Sequence, residues 1–198
     1  MRGAGDGPGR PGLPVPYSAV ARHFHWWTVA LVAIVLPLGI AMVVRGHWLN
    51  IFDAVTNTMY DTHKLLGFVL FFVVAARLAY RIAHGPPPQD PTLAPWQVAA
   101  STVTHGAMYA LLLSVPVLGW FGVQLYPALQ IYGLFSLPAV VSPDNATAEV
   151  VLFIHRSIAL VLGGLIGLHV AAALFHYFIR KDNVLSRMIP RLARRDRA

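Results

Sequence analysis

Cysteine is absent from the 198 residues, and charged residues make up only 12% of them. The first absence excludes disulfides, iron–sulfur clusters, thiolate metal sites and the C-x-x-C-H motif that attaches haem covalently. The second excludes an ordinary soluble domain, in which about a quarter of the residues are charged. Acids are the scarcer sign, eight against fifteen Lys and Arg, so the formal charge is +7. What is present instead is apolar: 57% of the chain is hydrophobic.

Apolar runs fall at roughly 24–44, 63–83, 98–124 and 151–179. Each approaches or exceeds the ~20 helical residues that cross a hydrocarbon core. The expected fold is an all-α integral membrane protein, a bundle of four transmembrane helices. Its basic residues orient it. Arg2, Arg10, Arg22, Arg77, Arg81, Arg180, Lys181, Arg187, Arg191, Arg194, Arg195 and Arg197 belong to one face, leaving Arg45, Lys64 and Arg156 for the other. Twelve against three places both termini in the cytoplasm. A basic tail at 191–198 then meets anionic lipid, and no nucleic-acid partner is expected.

Residues 1–16 are rich in Gly, Pro and Arg and read as disordered, ahead of a folded domain over 17–190. The stretch from Tyr126 to Val150, broken by Pro127, Pro138 and Pro143, reads as an outer cap with one short interfacial helix. Pro37 and Pro116 fall mid-span, and no internal repeat is evident.

The chemistry lies in the histidines. His155 and His169 are fourteen residues apart in one apolar run, so on a helix they share a face at depths ~21 Å apart. A titratable imidazole in lipid needs a functional reason. With the amino terminus inside, His63 opens the second span at the depth of His155, and His25 begins the first at the depth of His169. Two same-level pairs result, His25 with His169 and His63 with His155. Two imidazoles on opposite sides of a porphyrin give a six-coordinate iron suited to electron transfer. The pairs can therefore hold two non-covalent haem groups. His23 competes with His25, but two residues apart only one of them can face inward.

Other residues carry two readings each. Gly67, Gly163, Gly164 and Gly167 give a macrocycle room or serve close helix packing. His105 and His176 lie at the cytoplasmic side, where they suit a quinone headgroup or plain interfacial contacts. Arg77, fourteen residues after His63, meets a haem propionate or snorkels to the headgroups. Lys64 and Arg156 follow outer ligands and pair with propionates or attract an anionic substrate. No further catalytic residue stands out.

The segments YSAVARHFHW (17–26), THKLLGF (62–68), HGAMYALLLSVPVLG (105–119), IHRSIA (154–159) and GLHVAAALFHYFIRKDNVLSRMIP (167–190) resemble the bacterial cytochrome b561 family, in particular its superoxide oxidase type. The resemblance implies a four-helix bundle with two non-covalent haem b groups and axial ligands at His25, His63, His155 and His169. It also implies a ubiquinone site at His105 and His176. The implied activity is a superoxide:ubiquinone oxidoreductase of the bacterial inner membrane, oxidising superoxide at the periplasmic face. A different class fits the same residues: an electron-transfer anchor that joins a dehydrogenase or a periplasmic carrier to the quinone pool. A third, a histidine-lined proton or metal transporter, predicts a colourless protein.

Overall fold

The computed structural model describes residues 15–90 and 92–193. Helix α1 (Ala19–Met42) continues through a π-helical turn, Val43–Trp48. Helix α2 is Ala54–His84 and α3 is Pro95–Leu125. Helix α4 (Asn145–Phe175) ends in a second π-helical turn, His176–Arg180. All four are long and apolar enough to cross a membrane. Their outward faces leave residues such as Ile82, Val103 and Phe178 exposed at 76%, 71% and 60%. Apolar exposure on that scale needs lipid around it.

Polar caps make two of the helices longer than their apolar runs. Asp53 accepts from the Thr56 amide at 2.8 Å, and Asp144 accepts from the Ala146 and Thr147 amides. Both carboxyls sit below the usual carboxylate range. For Asp53 the cause is first the Thr56 amide, then the Thr56 hydroxyl and Arg45; for Asp144 it is the Thr147 hydroxyl, then its amide. A depressed carboxyl contributes stability that is present above its unfolded pKa and lost as pH falls through the folded one. Acid therefore loosens the starts of α2 and α4 together.

Helix α1 packs on α2, α3 on α4, and α2 joins the two hairpins through α3. The shared core is Leu70, Val74, Met108, Leu112 and Leu162, flanked by Leu31 and Val32 of α1. The end of the bundle bearing His63 and His155 is termed outer here, and the end bearing His25 and His169 inner.

The outer cap holds a hairpin where a short helix was expected. Strands β1 (Gln130–Ile131) and β2 (Phe135–Ser136) pair antiparallel. Tyr132 and Gly133 both take positive φ, 50° and 69°, a tight turn that a helix cannot supply. Helix α2 holds it: Asp61 accepts from the Tyr132 amide at 2.8 Å, and the Thr62 and Tyr132 hydroxyls meet at 2.6 Å. Lys64 donates to Ala128 O at 3.0 Å and to Gln130 O, and pairs with Asp61 at 2.8 Å. From α3, Trp120 donates to Pro138 O and the buried Gln124 accepts from the Val140 amide.

The inner end is closed by the segment after α4. Arg187, 8% exposed, donates to Val15 O and Pro88 O and lies over the Tyr17 ring. Arg180 reaches Gln97 and Thr92 O at the start of α3. Val15, inside the stretch expected to be disordered, is thus part of the fold. Of that stretch 1–14, and of the basic tail 194–198, lie outside the described residues.

The three contacts of Lys64 make it the main anchor of the hairpin. Lys64→Met should cost on the order of 2 kcal/mol, because a half-buried carboxylate and two carbonyls lose a charged donor. Hydrogen–deuterium exchange in 126–144 should accelerate while the helices stay protected. Unchanged exchange there would contradict the anchoring role.

Candidate functional site

Every helix carries the same seven-residue ladder. The steps are His25, Val32, Gly39 in α1; His63, Leu70, Arg77 in α2; His105, Leu112, Gly119 in α3; and His155, Leu162, His169 in α4. Seven residues are nearly two turns, or ~10.5 Å. The rungs form three levels: histidine and glycine at the outer end, an apolar layer of Val32, Leu70, Leu112 and Leu162 in the middle, and His25, Arg77, His105 and His169 at the inner end. This repeat relates α1–α2 to α3–α4, which corrects the reading of a chain without internal repetition.

At the outer level the His63 and His155 rings face each other, centroids 6.1 Å apart and planes at 86°. His63 Nδ1 lies 3.1 Å from Val35 O, and His155 Nδ1 lies 2.8 Å from Val115 O. A carbonyl only accepts, so each Nδ1 carries the proton and each Nε2 keeps its lone pair. Both rings line a cavity of about 470 Å³ whose other walls include Val32, Leu36, Gly67, Leu112 and Pro116. Gly67 has nothing within 4 Å of the place a Cβ would occupy.

These features fit a bis-histidine haem. Metal-ligating histidines typically donate their second nitrogen to a carbonyl or carboxylate, which fixes the tautomer. Two nitrogens each about 2 Å from one ion place ring centroids about 6 Å apart, the separation seen. The apolar walls suit a macrocycle. Of the other glycines considered, Gly163 packs on Leu36, whereas Gly164 and Gly167 meet nothing among the described residues.

At the inner level the His25 and His169 rings stand 6.4 Å apart with planes at 72°, and His105 stands 5.2 Å from His169. His23 is exposed and His25 half-buried, which selects His25 as the inward residue. Arg77 Nη2 lies 3.2 Å from His25 Nδ1, and its guanidinium lies over the Tyr109 ring. Arginine only donates, so Nδ1 of His25 accepts. Ligation through Nε2 requires Arg77 to release that nitrogen, and the released guanidinium is then at hand for an anionic group.

The remaining expected residues separate. His105 bonds Ser101 at 3.1 Å, while His176 is turned to Asp182 at 2.6 Å, with Arg180 also on Asp182 at 3.3 Å. The contacts thus place His105 against His169 and His176 against the inner closing segment. Asp182 was not picked out from the sequence, although a carboxylate six residues after a histidine, beyond a helix end, could have signalled it. Lys64 is committed to the cap, and Arg45 to Asp53 at 2.8 Å. Among the described residues, Arg156 alone of the three outer cations has no acid partner; it lies over Phe153 and borders the outer cavity.

A family model described as prokaryotic cytochrome b561 matches residues 16–191. The chain belongs to this family. It is 31% identical to "Cytochrome b561 homolog 1" of Escherichia coli K12 over 176 residues, 88% of this chain and 97% of that one. It is 28% identical to "Cytochrome b561 homolog 2" of the same organism, covering 89% and 92%. It is 26% identical to "Probable superoxide oxidase CybB" of Yersinia pestis, covering 88% and 96%. As a prokaryotic cytochrome b561, the protein carries haem b and transfers electrons in the bacterial inner membrane.

The ring geometry yields a test of pairing. His63→Ala and His155→Ala should remove the same haem, and His25→Ala and His169→Ala the other. Low-temperature optical spectra of the four variants should sort into two matching classes. Grouping of His63 with His169 would contradict the two-level arrangement.

Proposed function

We propose that the protein is a di-haem superoxide:ubiquinone oxidoreductase, with His63 and His155 holding one haem b near the periplasm and His25 and His169 a second near the cytoplasm. Both termini lie in the cytoplasm, in keeping with the twelve-to-three distribution of basic residues. The observation that carries the reading is the pair of facing imidazoles at two levels, the outer ones with proton-free Nε2 atoms. A bound haem supplies a reversible one-electron couple at each level. The printed name of one relative, a probable superoxide oxidase, favours superoxide as donor.

The chain's own residues serve the two half-reactions. Two superoxide ions each lose one electron and leave as O₂, while one quinone takes two electrons and two protons to become the quinol. Arg156 places a positive charge at the edge of the outer cavity, within the ~8 Å over which charge acts at physiological salt. The buried apolar layer between the levels keeps water from joining the two faces. At the inner end, His105 and His176 suit the quinone headgroup, and the Asp182 carboxylate fixes the Nδ1 proton of His176 and turns its Nε2 free. The cytoplasm-facing closing segment supplies the protons.

The test uses purified protein in liposomes containing ubiquinone, with superoxide generated outside. Quinol should form with two superoxide ions consumed per quinol. His176→Ala should keep its haem and its reduction by superoxide, yet lose at least about tenfold in quinone turnover, ~1.4 kcal/mol of transition-state stabilisation. Arg156→Gln should lower kcat/KM for superoxide and flatten its salt dependence. A protein that superoxide does not reduce, but that co-purifies with a dehydrogenase and passes its electrons on, would establish the anchor reading instead.

A further inference from the structure

The outer histidines share a second set of partners that no ligand assignment includes. Gly39 of α1 lies against the His63 ring: a Cβ there would come 2.8 Å from Cε1 and 3.3 Å from Nδ1. Gly119 of α3 lies against His155 in the same way, with a Cβ at 2.9 Å from Cε1 and 3.1 Å from Nδ1. In each helix the carbonyl that receives the imidazole proton stands four residues before the glycine, Val35 for Gly39 and Val115 for Gly119. In each helix a proline lies between them, Pro37 and Pro116.

Four residues are about one turn, so carbonyl and glycine lie on one strip of the helix facing the ring. The carbonyl oxygen has a second lone pair beyond the one its helix uses. A proline in the same turn interrupts the helical ladder and opens room beside it. The glycine then lets the ring approach the backbone at a distance that any Cβ would forbid. Carbonyl and glycine together leave the imidazole one tautomer and one plane.

We infer that Val35–Gly39 and Val115–Gly119 are a matched pair of backbone cradles, in which Gly39 and Gly119 are positioning residues that set the perpendicular ring planes of His63 and His155 on the outer haem. The inference rests on the proposed ligation of that haem by these two histidines. The inner level has no such cradle among the described residues: His25 Nδ1 is held by the guanidinium of Arg77. The α1–α2 and α3–α4 hairpins are thus two copies of one ligand-holding device, each presenting a fixed imidazole to the other.

The relative angle of two axial imidazole planes controls the splitting of the iron d orbitals, so near-perpendicular planes give a strongly anisotropic low-spin ferric EPR signal. Gly39→Ala and Gly119→Ala, in purified full-length protein, should each shift or abolish the outer haem's EPR signal and shift its midpoint potential, leaving the inner haem unaltered. Gly122→Ala is the control. Its new methyl meets the Leu152 side chain at the same α3–α4 contact, so it should lower thermal stability without moving either signal. Both haems retained with wild-type outer signal and potential in the two variants would overturn the inference. If neither variant assembles, the wild-type spectrum decides: a strongly anisotropic outer signal supports the cradles, and the rhombic signal of parallel planes overturns them. A wild-type protein without haem at His63 and His155 would instead sink the ligation on which the inference stands.

Discussion

The hydrogen bonds from His63 and His155 to backbone carbonyls are the interactions on which the rest of the structure depends. An imidazole in the membrane interior must have its N–H satisfied, because no water is there to do so. Donation to Val35 O and Val115 O meets that need and dictates the tautomer. The two rings, each with a bare Nε2, then stand with centroids 6.1 Å apart beside an apolar cavity. Close approach to the neighbouring helix requires glycine there, and the seven-residue spacing carries the consequence down the bundle.

The two ends are built differently. The outer end is held by neutral backbone groups and covered by a hairpin that α2 pins through Asp61, Thr62 and Lys64. The inner end gathers His25, Arg77, His105, His169 and, beyond them, the His176–Asp182–Arg180 cluster. The apolar outer site suits the proposed one-electron exchange with a small anion. The polar inner site, with its imidazoles and the Asp182 carboxylate, suits the proposed coupling of electrons to protons at a quinone.

Much of this was legible in the sequence, because membrane helices write their depth in hydropathy and their facing in periodicity. Fourteen-residue spacing from His155 to His169 and the entry positions of His25 and His63 were enough to pair the imidazoles by level. Depth and the resemblance named His25, but its inward face needed coordinates, since a two-residue offset from His23 fixes opposition and not which face is inward. The cap was misread because its turn depends on positive φ at Tyr132, a residue with no glycine signature, and on partners in α2 seventy residues away. The inner closure was missed because Arg187 reads as one more basic residue, whereas its burial arises from carbonyls at Val15 and Pro88. The ladder was visible in principle: Gly39 and Gly119 stand fourteen residues beyond His25 and His105. Glycine has no side chain to announce a role, and the repeat emerges only when the rings beneath it are seen.

The central claim is that four histidines hold two haems at two levels of one bundle. Its most direct test is a potentiometric optical titration of the purified protein, with haem extracted by acid–acetone and quantified per chain. The expected result is about two fully extractable b haems per polypeptide, titrating as two separate one-electron steps. A single haem per chain, or haem that resists extraction, would contradict it.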